Sequence, residues 1–482
     1  MKRVGTALAL CVFFFGAVLT RADAVEATCQ GSSIVPPWID PSDVPLPAWA
    51  HSVAPLRDDT TIVAEPGHPE SRRGTTDPSA RLPLFGAKRA AGCTGRWLLV
   101  GPLAWICSDA AEISPDPVAA ITPRVLPSGL PYRYFFVGAD GAEAFLNPPS
   151  GNADTDPGME APENTLDPNF SVAITEERDA PSSGDESSAS GAGGKWGRTS
   201  HQKWIPMREL VPFRPSAFAG VETVDGSLDF GWVTSDVGLA YGAPAARGKV
   251  VAKRARFERV PWREERAAPN GGGAMVRVSE DGATPALWMR ARDLAHPTLS
   301  SPPDEVGGAS AIARWVDVDL GAQVLVAYEG TKPVFATLVS TGRAEGTTPA
   351  GVHRVWVKLR VSDMENLSDE EDENDHDRFS IEDVPYVQYF ERGVALHAAF
   401  WHGDFGRPRS HGCVNLAPKD AAWLFGFTAP HLPAGWSAAL PTALEPGTVV
   451  RVRAAFPLDP GHGRAMHGTR APREAGPASE VQ

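Results

Sequence analysis

The sequence is short of positive charge, of cysteine and of long apolar runs, and each shortage removes a class of protein. Lys and Arg total 45 against 59 Asp and Glu, a formal charge of −14 over 482 residues. That balance excludes a protein whose affinity comes from neutralising nucleic-acid phosphates. Past the N-terminus no stretch approaches the roughly eighteen consecutive apolar residues that a membrane-spanning helix needs. Five cysteines are too few for a small disulfide scaffold. Helix signals are scarce as well: Gly 47 and Pro 45 punctuate short apolar runs, which favours strands and turns. What is present excludes wholesale disorder, because 42% of residues are hydrophobic and the length allows several domains with buried cores.

The acidity is local. Ten acidic residues stand against Arg178 alone between Pro148 and Gly194, and nine against no Lys or Arg between Asp363 and Asp377. Without these two stretches the chain is close to neutral, so no broad field steers a partner. At the start, Lys2 and Arg3 precede the apolar run Ala7 to Leu19, followed by Ala22-Asp23-Ala24. This is the pattern of a secretory signal peptide with a small-x-small cleavage site. The expected mature chain has no integral membrane segment and works in an oxidising space outside the inner membrane, periplasmic or wall-associated. Cys11 lies in the signal. Of the other cysteines, Cys93 and Cys107 are the preferred disulfide pair, because their spacing between apolar strand-like segments suits a hairpin, although sequence alone does not fix connectivity.

Composition divides the chain into a signal peptide (1–24), a disordered lead-in (25–80), a small β-module (81–147), an acidic low-complexity linker (148–200), a second β-module (201–297), a linker (298–311), a third β-region (312–455) and a disordered tail (456–482). In the third region Val316-Asp-Val-Asp-Leu320 alternates as a strand does. A helix is predicted only over Pro418 to Phe425, where Pro suits the first helical position. Strand character returns at Thr448 to Arg453. In the second module, Trp232 and Trp288 are read as exposed aromatics able to grip a sugar or a peptide.

The chemistry concentrates in Leu396-His397 and in the run from Phe400 to Asn415, which holds Ser410-His411-Gly412-Cys413. A cysteine is a nucleophile only as thiolate and needs a base or positive potential nearby. His397 and His411 are the available imidazoles. Gly412, without Cβ, permits a tight turn that can aim consecutive N–H groups at one point. A metal site built from His397, His402 and either His411 or Asp404 is the competing reading, but no carboxylate-plus-His spacing recurs, and no metal or cofactor is expected. The acidic run 368–377 lacks the glycine and terminal Glu of a calcium loop and reads as a solvated insertion beside a cleft.

This constellation resembles the L,D-transpeptidase (YkuD-like) catalytic domain family, whose signature is a His followed after a dozen or more residues by Ser/Thr-His-Gly-Cys, a hydrophobic residue and Asn or Arg. Twelve residues separate His397 from Ser410. Supporting matches are Val316 to Leu320, Gln323 to Tyr328, Ser340-Thr341-Gly342, Thr348-Pro349-Ala350-Gly351 and Gly393 to His397. The resemblance covers about Ile312 to Arg453. It implies a mainly β fold, an L,D-transpeptidase-type β-sandwich with a short helix, here preceded by one or two small β-modules that resemble bacterial SH3-like domains. It implies Cys413 as nucleophile and His397 as base, with the Ala398 carbonyl orienting the imidazole. His411 and Gly412 then shape the loop, the Gly412 and Cys413 N–H groups face an oxyanion, and Ser410 and Asn415 secure the loop. Tyr389, Trp401, Arg407 and Asn415 would contact substrate. The implied partners are peptidoglycan stem peptides, and carbapenems would acylate Cys413. Sequence leaves open diaminopimelate cross-linking, protein attachment, carboxypeptidase action, a cysteine wall peptidase and a non-catalytic wall binder. It leaves the oligomeric state open too.

Overall fold

A computed structural model describes residues 44–119, 125–147, 161–179, 194–245, 248–306, 313–365 and 379–454. The signal segment, Cys29, the core of the acidic runs and the C-terminal tail lie outside these residues. Strands predominate, and the one α-helix among the described residues is Pro418–Phe427, two residues longer than expected because Phe427 packs into the core.

Two sheets and this helix enclose the main core. In the first sheet, Val324–Glu329 pairs antiparallel with both Arg314–Asp319 and Lys332–Ser340. Val449–Arg453 runs parallel to Arg314–Asp319 and antiparallel to Gly351–Arg354. In the second sheet, Val414–Leu416 is parallel to Val394–Ala398, which pairs antiparallel with Ser380–Glu391, itself antiparallel to Val357–Glu365. Val316, Val318, Leu325, Leu396, Val414, Leu416 and Leu424 are all buried between the layers, as the period-2 pattern of the strands requires. The helix is tied down at its end by Lys358, fully buried, whose Nζ donates to the carbonyls of Phe425 and Thr428. These are among the carbonyls a helix leaves without internal partners.

The alternation in Val316 to Leu320 does not leave a polar face in solvent. Asp317 is 1% exposed and accepts from Arg451 Nε at 2.7 Å, Arg453 Nε at 2.9 Å and Ser300 Oγ at 3.0 Å. Removing one partner of a buried charge group strands the others. Asp317→Ala is therefore expected to lower unfolding stability by about 3 kcal/mol, the low end of the range for such losses because both arginines reach solvent. Urea denaturation followed by tryptophan fluorescence checks this.

Several expected boundaries are corrected. The lead-in is not structureless from 44 onward: Ser52–Pro55, Thr61–Val63 and Arg72–Thr76 are strands. They are too short to show a period, and Arg72–Thr76 gains its order by pairing with Trp436–Ala439 of the third region. The expected linker 148–200 carries strands Asn164–Leu166, Ser171–Asp179 and Lys195–Thr199. Among its described acidic residues Glu163, Asp167 and Asp179 are exposed and Glu176 and Glu177 partly so, while Val172, Ala173 and Ile174 are buried. Trp204–Pro206 and Leu210–Pro212 belong to that upstream sheet. The second module therefore begins later than 201. From Phe230 to Ala295 it comprises a three-stranded and a five-stranded sheet, with no support for an SH3-like identity. Trp232 and Trp288 are 1% and 5% exposed, so they fill cores and cannot grip a ligand. Cys93, in the loop before Trp97–Gly101, and Cys107, the last residue of Ala104–Cys107, are joined in a disulfide.

Candidate functional site

The parallel pairing of Val394–Ala398 with Val414–Leu416 sets His397 opposite Asn415 and Leu396 opposite Val414. It carries Cys413, one residue before the second strand, to the same sheet edge. His397 and Cys413 both line a cleft of about 770 Å³. His397 is 2% exposed and Cys413 half-buried. The imidazole Nδ1 lies 2.9 Å from Ala398 O, so it donates that proton and Nε2 is left as the basic nitrogen. The Trp401 ring stacks on the imidazole at 5.7 Å and 24°. No side-chain carboxylate shares in orienting His397 among the described residues.

Burial decides the charge state of the pair. It pushes the His397 imidazole down to about 4 against a smaller upward pull from the Ala398 carbonyl. It pushes the Cys413 thiol up, against a smaller pull from the Ala395 N–H. Each group resists ionisation, so the resting pair is neutral thiol and neutral imidazole. The thiol faces Gly393 O at 3.8 Å. Alkylation of Cys413 by iodoacetamide should therefore rise about tenfold per pH unit between pH 6 and 8. A rate that is flat with pH in this range would reveal a standing thiolate–imidazolium pair instead.

The segment before Cys413 is braced by the loop 341–348. Arg409 N and Ser410 N both donate to Thr341 O, at 2.8 and 3.0 Å, and Arg343 N donates to Ser410 O at 2.9 Å. Thr348 Oγ1 donates to Gly412 O at 2.6 Å and accepts from Gly342 N at 2.9 Å. A Cβ on Gly412 would sit 2.8 Å from Thr347 O, which is the physical reason glycine stands there. Ser410 Oγ donates to Cys413 O at 2.5 Å and accepts from Gly412 N at 3.1 Å. The Gly412 N–H, expected to face an oxyanion, is thus engaged within its own loop, because the Ser410 hydroxyl reaches it first.

Asn415 and His402 form a second buried pair. His402 Nδ1 accepts from Asp404 N at 3.1 Å, and burial holds this ring neutral with its pKa lowered to about 4. Its proton is therefore on Nε2. The Asn415 amide nitrogen is placed 3.0 Å from that Nε2, yet two donors cannot share one contact. The amide is turned with its oxygen to the ring, and its NH2 faces the position that has no hydrogen-bond partner among the described residues. His402 is accordingly part of the loop's scaffold.

Of the residues picked from sequence, His397, Trp401, Arg407, Ser410, His411, Gly412, Cys413 and Asn415 line the cleft. Tyr389 does not. It packs on Trp356 at 5.7 Å and, opposite Ala395 on the neighbouring strand, against the same cluster as Cys413, beneath the cleft rather than in its lining. Arg407 is also committed, to Asp236 at 3.0 Å and Thr234 O at 2.8 Å. Arg409 pairs with Asp404. Arg343 reaches only His411 Nε2, at 3.0 Å, among described partners of its guanidinium, and His411 stacks on Phe379 at 5.5 Å. Sequence reasoning missed Arg343, although it follows Ser340-Thr341-Gly342, and missed Phe136, Asn169 and Ser171, for which no local signal exists.

Residues 313–452 match the family model of the L,D-transpeptidase catalytic domain, YkuD. Similar solved structures include an L,D-transpeptidase from Stackebrandtia nassauensis, with 28% identity over 30% of this chain and 57% of that one, TM-score 0.21. Another, from Mycobacterium tuberculosis H37Rv, has 21% identity over 29% of this chain and 57% of that one, TM-score 0.22. The catalytic domain of the Enterococcus faecium enzyme has 25% identity over 30% of this chain and 99% of that one, TM-score 0.22. The chain thus spans little more than half the length of the first two. Superposition scores this low carry no argument, and no curated protein matches. The family match over 313–452, on the segment whose strands bring His397 and Cys413 to one cleft, makes that segment a YkuD-like L,D-transpeptidase catalytic domain.

Proposed function

We propose that the protein is a secreted L,D-transpeptidase that joins peptidoglycan stem peptides through a thioester on Cys413. The observation that carries this reading is the shared cleft of Cys413 and His397, with His397 Nδ1 held by the Ala398 carbonyl. In the proposed reaction Cys413 Sγ attacks the carbonyl between the L-centre of diaminopimelate and the terminal D-alanine of a tetrapeptide stem. His397 Nε2 takes the thiol proton and passes it to the leaving amine as the C–N bond breaks. An amine of a second stem then attacks the thioester, gives its proton to His397 and releases the thiol. Because the resting pair is neutral, the proton moves only when a carbonyl is in place, which limits idle thiolate oxidation. Transfer prevails over hydrolysis only where acceptor, and not water, occupies the space beside the thioester.

The guanidinium of Arg343, held by His411 Nε2 and with no acidic partner among the described residues, suits a stem carboxylate, since an arginine offers two parallel donors to such a group. Arg343→Gln is expected to raise KM for the stem by roughly tenfold with a smaller change in kcat, measured by D-alanine release. The reading as a whole is tested by incubating the purified protein with a defined tetrapeptide muropeptide and resolving products by mass. Dimers linked between two diaminopimelates support cross-linking. Tripeptide alone would make it a carboxypeptidase, and intact substrate would contradict it.

A further inference from the structure

Part of the cleft wall comes from outside the transpeptidase domain. Phe136, Asn169 and Ser171 line the same cavity as Cys413 and His397, yet they lie upstream: Ser171 pairs with Phe136 in the upstream sheet, and Asn169 sits in the turn just before it. That sheet is joined to the catalytic one. Ser171 also pairs, in parallel, with Ile381. Tyr134 Oη donates to Asp383 O at 2.7 Å, and Ala173 N donates to Glu382 Oε2 at 2.8 Å. The Tyr134 ring lies on Phe400, centroids 3.9 Å apart, one residue before Trp401. The wall is thus fixed to the segment that holds the imidazole.

Ser171 is 3% exposed and its Oγ has no hydrogen-bond partner among the described residues. A buried hydroxyl left unpaired is costly, and one that lines a cleft points to a ligand that completes it. Asn169 holds a left-handed backbone at φ 67° and lines the cavity beside it. The two ends of the cleft differ in charge. Arg343, which contacts His411, lines one end together with Arg407 and Arg409, themselves paired with Asp236 and Asp404, whereas Phe136, Asn169 and Ser171 carry no charge. Ser171 also borders a second cavity of about 240 Å³ lined by Asp363, Glu365 and Glu382 together with His201 and Lys203. His201 is paired with Glu382 and Asp363, and Lys203 with Glu163, so acidic charge prevails there.

We infer that Phe136, Asn169 and Ser171 form the subsite for the acceptor, the amine-bearing side chain of a second stem peptide. This rests on the transfer reading above. A carboxylate-bearing donor is drawn to the arginine end, and an amine to the end backed by carboxylates. The Ser171 hydroxyl and the Asn169 amide oxygen accept from the amine N–H groups, leaving the nitrogen lone pair for the thioester carbonyl. The ammonium that the carboxylates attract first gives one proton to solvent; its nitrogen then forms the N–C bond as the C–S bond breaks, and a second proton passes from the nitrogen through His397 to the sulfur. Phe136 excludes water from one side.

The test uses the full chain, a tetrapeptide donor and a diaminopimelate-containing tripeptide acceptor, with cross-linked and hydrolysed products separated by mass. In Ser171→Ala the ratio of cross-linked to hydrolysed product should fall roughly tenfold, the effect of one lost hydrogen bond. Acceptor KM should rise in step. Asn169→Gly, which keeps the backbone conformation, should shift the ratio the same way. Ser171→Ala breaks no protein hydrogen bond, so its melting temperature should not fall, which separates loss of a subsite from loss of fold. An unchanged ratio and acceptor KM in both variants would overturn the inference while leaving the transfer reading intact. Absence of D-alanine release by the unaltered protein would instead overturn the transfer reading, and the subsite with it.

Discussion

Cys413→Ser should abolish turnover of tetrapeptide stems, with a loss of at least about 10³-fold, while the melting temperature stays close to that of the unaltered protein. The serine hydroxyl fits the same half-buried space, but it is a far weaker nucleophile for a base of this strength. Burial already holds the His397 imidazole near 4, too weak a base to draw a proton from an alcohol. Cys413 is also the one free cysteine among the described residues, since Cys93 and Cys107 are bridged. Reduction of that bridge should therefore leave turnover standing where Cys413→Ser removes it. D-alanine release measured on both preparations is the check.

His397→Gln should lower kcat by about 10³-fold with little change in KM for the stem. Glutamine can keep a contact with the Ala398 carbonyl and with Trp401, so the cleft wall survives, but it cannot take up or return a proton. The pH profile gives a second reading of the same residue. The acid limb of kcat/KM should lie near pH 4, following the lowered imidazole, and stay absent at pH 6 where an ordinary histidine titrates. An acid limb near 6.5 would mean that His397 is solvated and that the neutral-pair description is wrong. Both expectations follow from one cause, the burial of a ring with a single carbonyl partner.

How far the sequence could be read depended on whether a residue's role is local. Ser410, His411, Gly412 and Cys413 announce themselves in one tetrapeptide, and Gly412 has a reason visible in the fold, the Thr347 carbonyl that a side chain would strike. The period-2 run at Val316 placed the first sheet. Roles set by distant chain were illegible. The strand Ser171–Asp179 was averaged into an acidic stretch, although Val172, Ala173 and Ile174 bury one end of it, and nothing near Ser171 tells that it will meet Ile381. Trp232 and Trp288 looked exposed because strands of three or four residues are too short to show which face is inward. Tyr389 stood close to His397 in sequence, yet it packs beside Trp356 and under the cluster that holds Cys413 instead of lining the cleft, a packing detail that a motif does not encode. The Gly412 N–H was assigned to an oxyanion from its position alone, whereas the Ser410 hydroxyl two residues earlier takes it.

The central claim is that Cys413 carries the acyl group between donor and acceptor. Mixing the unaltered protein with a tetrapeptide stem and no acceptor, quenching in acid and mapping peptides by mass tests it most directly. A thioester adduct of the stem less D-alanine is expected on the peptide containing Cys413, absent in Cys413→Ser and discharged when an amine acceptor is added before the quench. An adduct on any other residue, or D-alanine release that persists in Cys413→Ser, would contradict it.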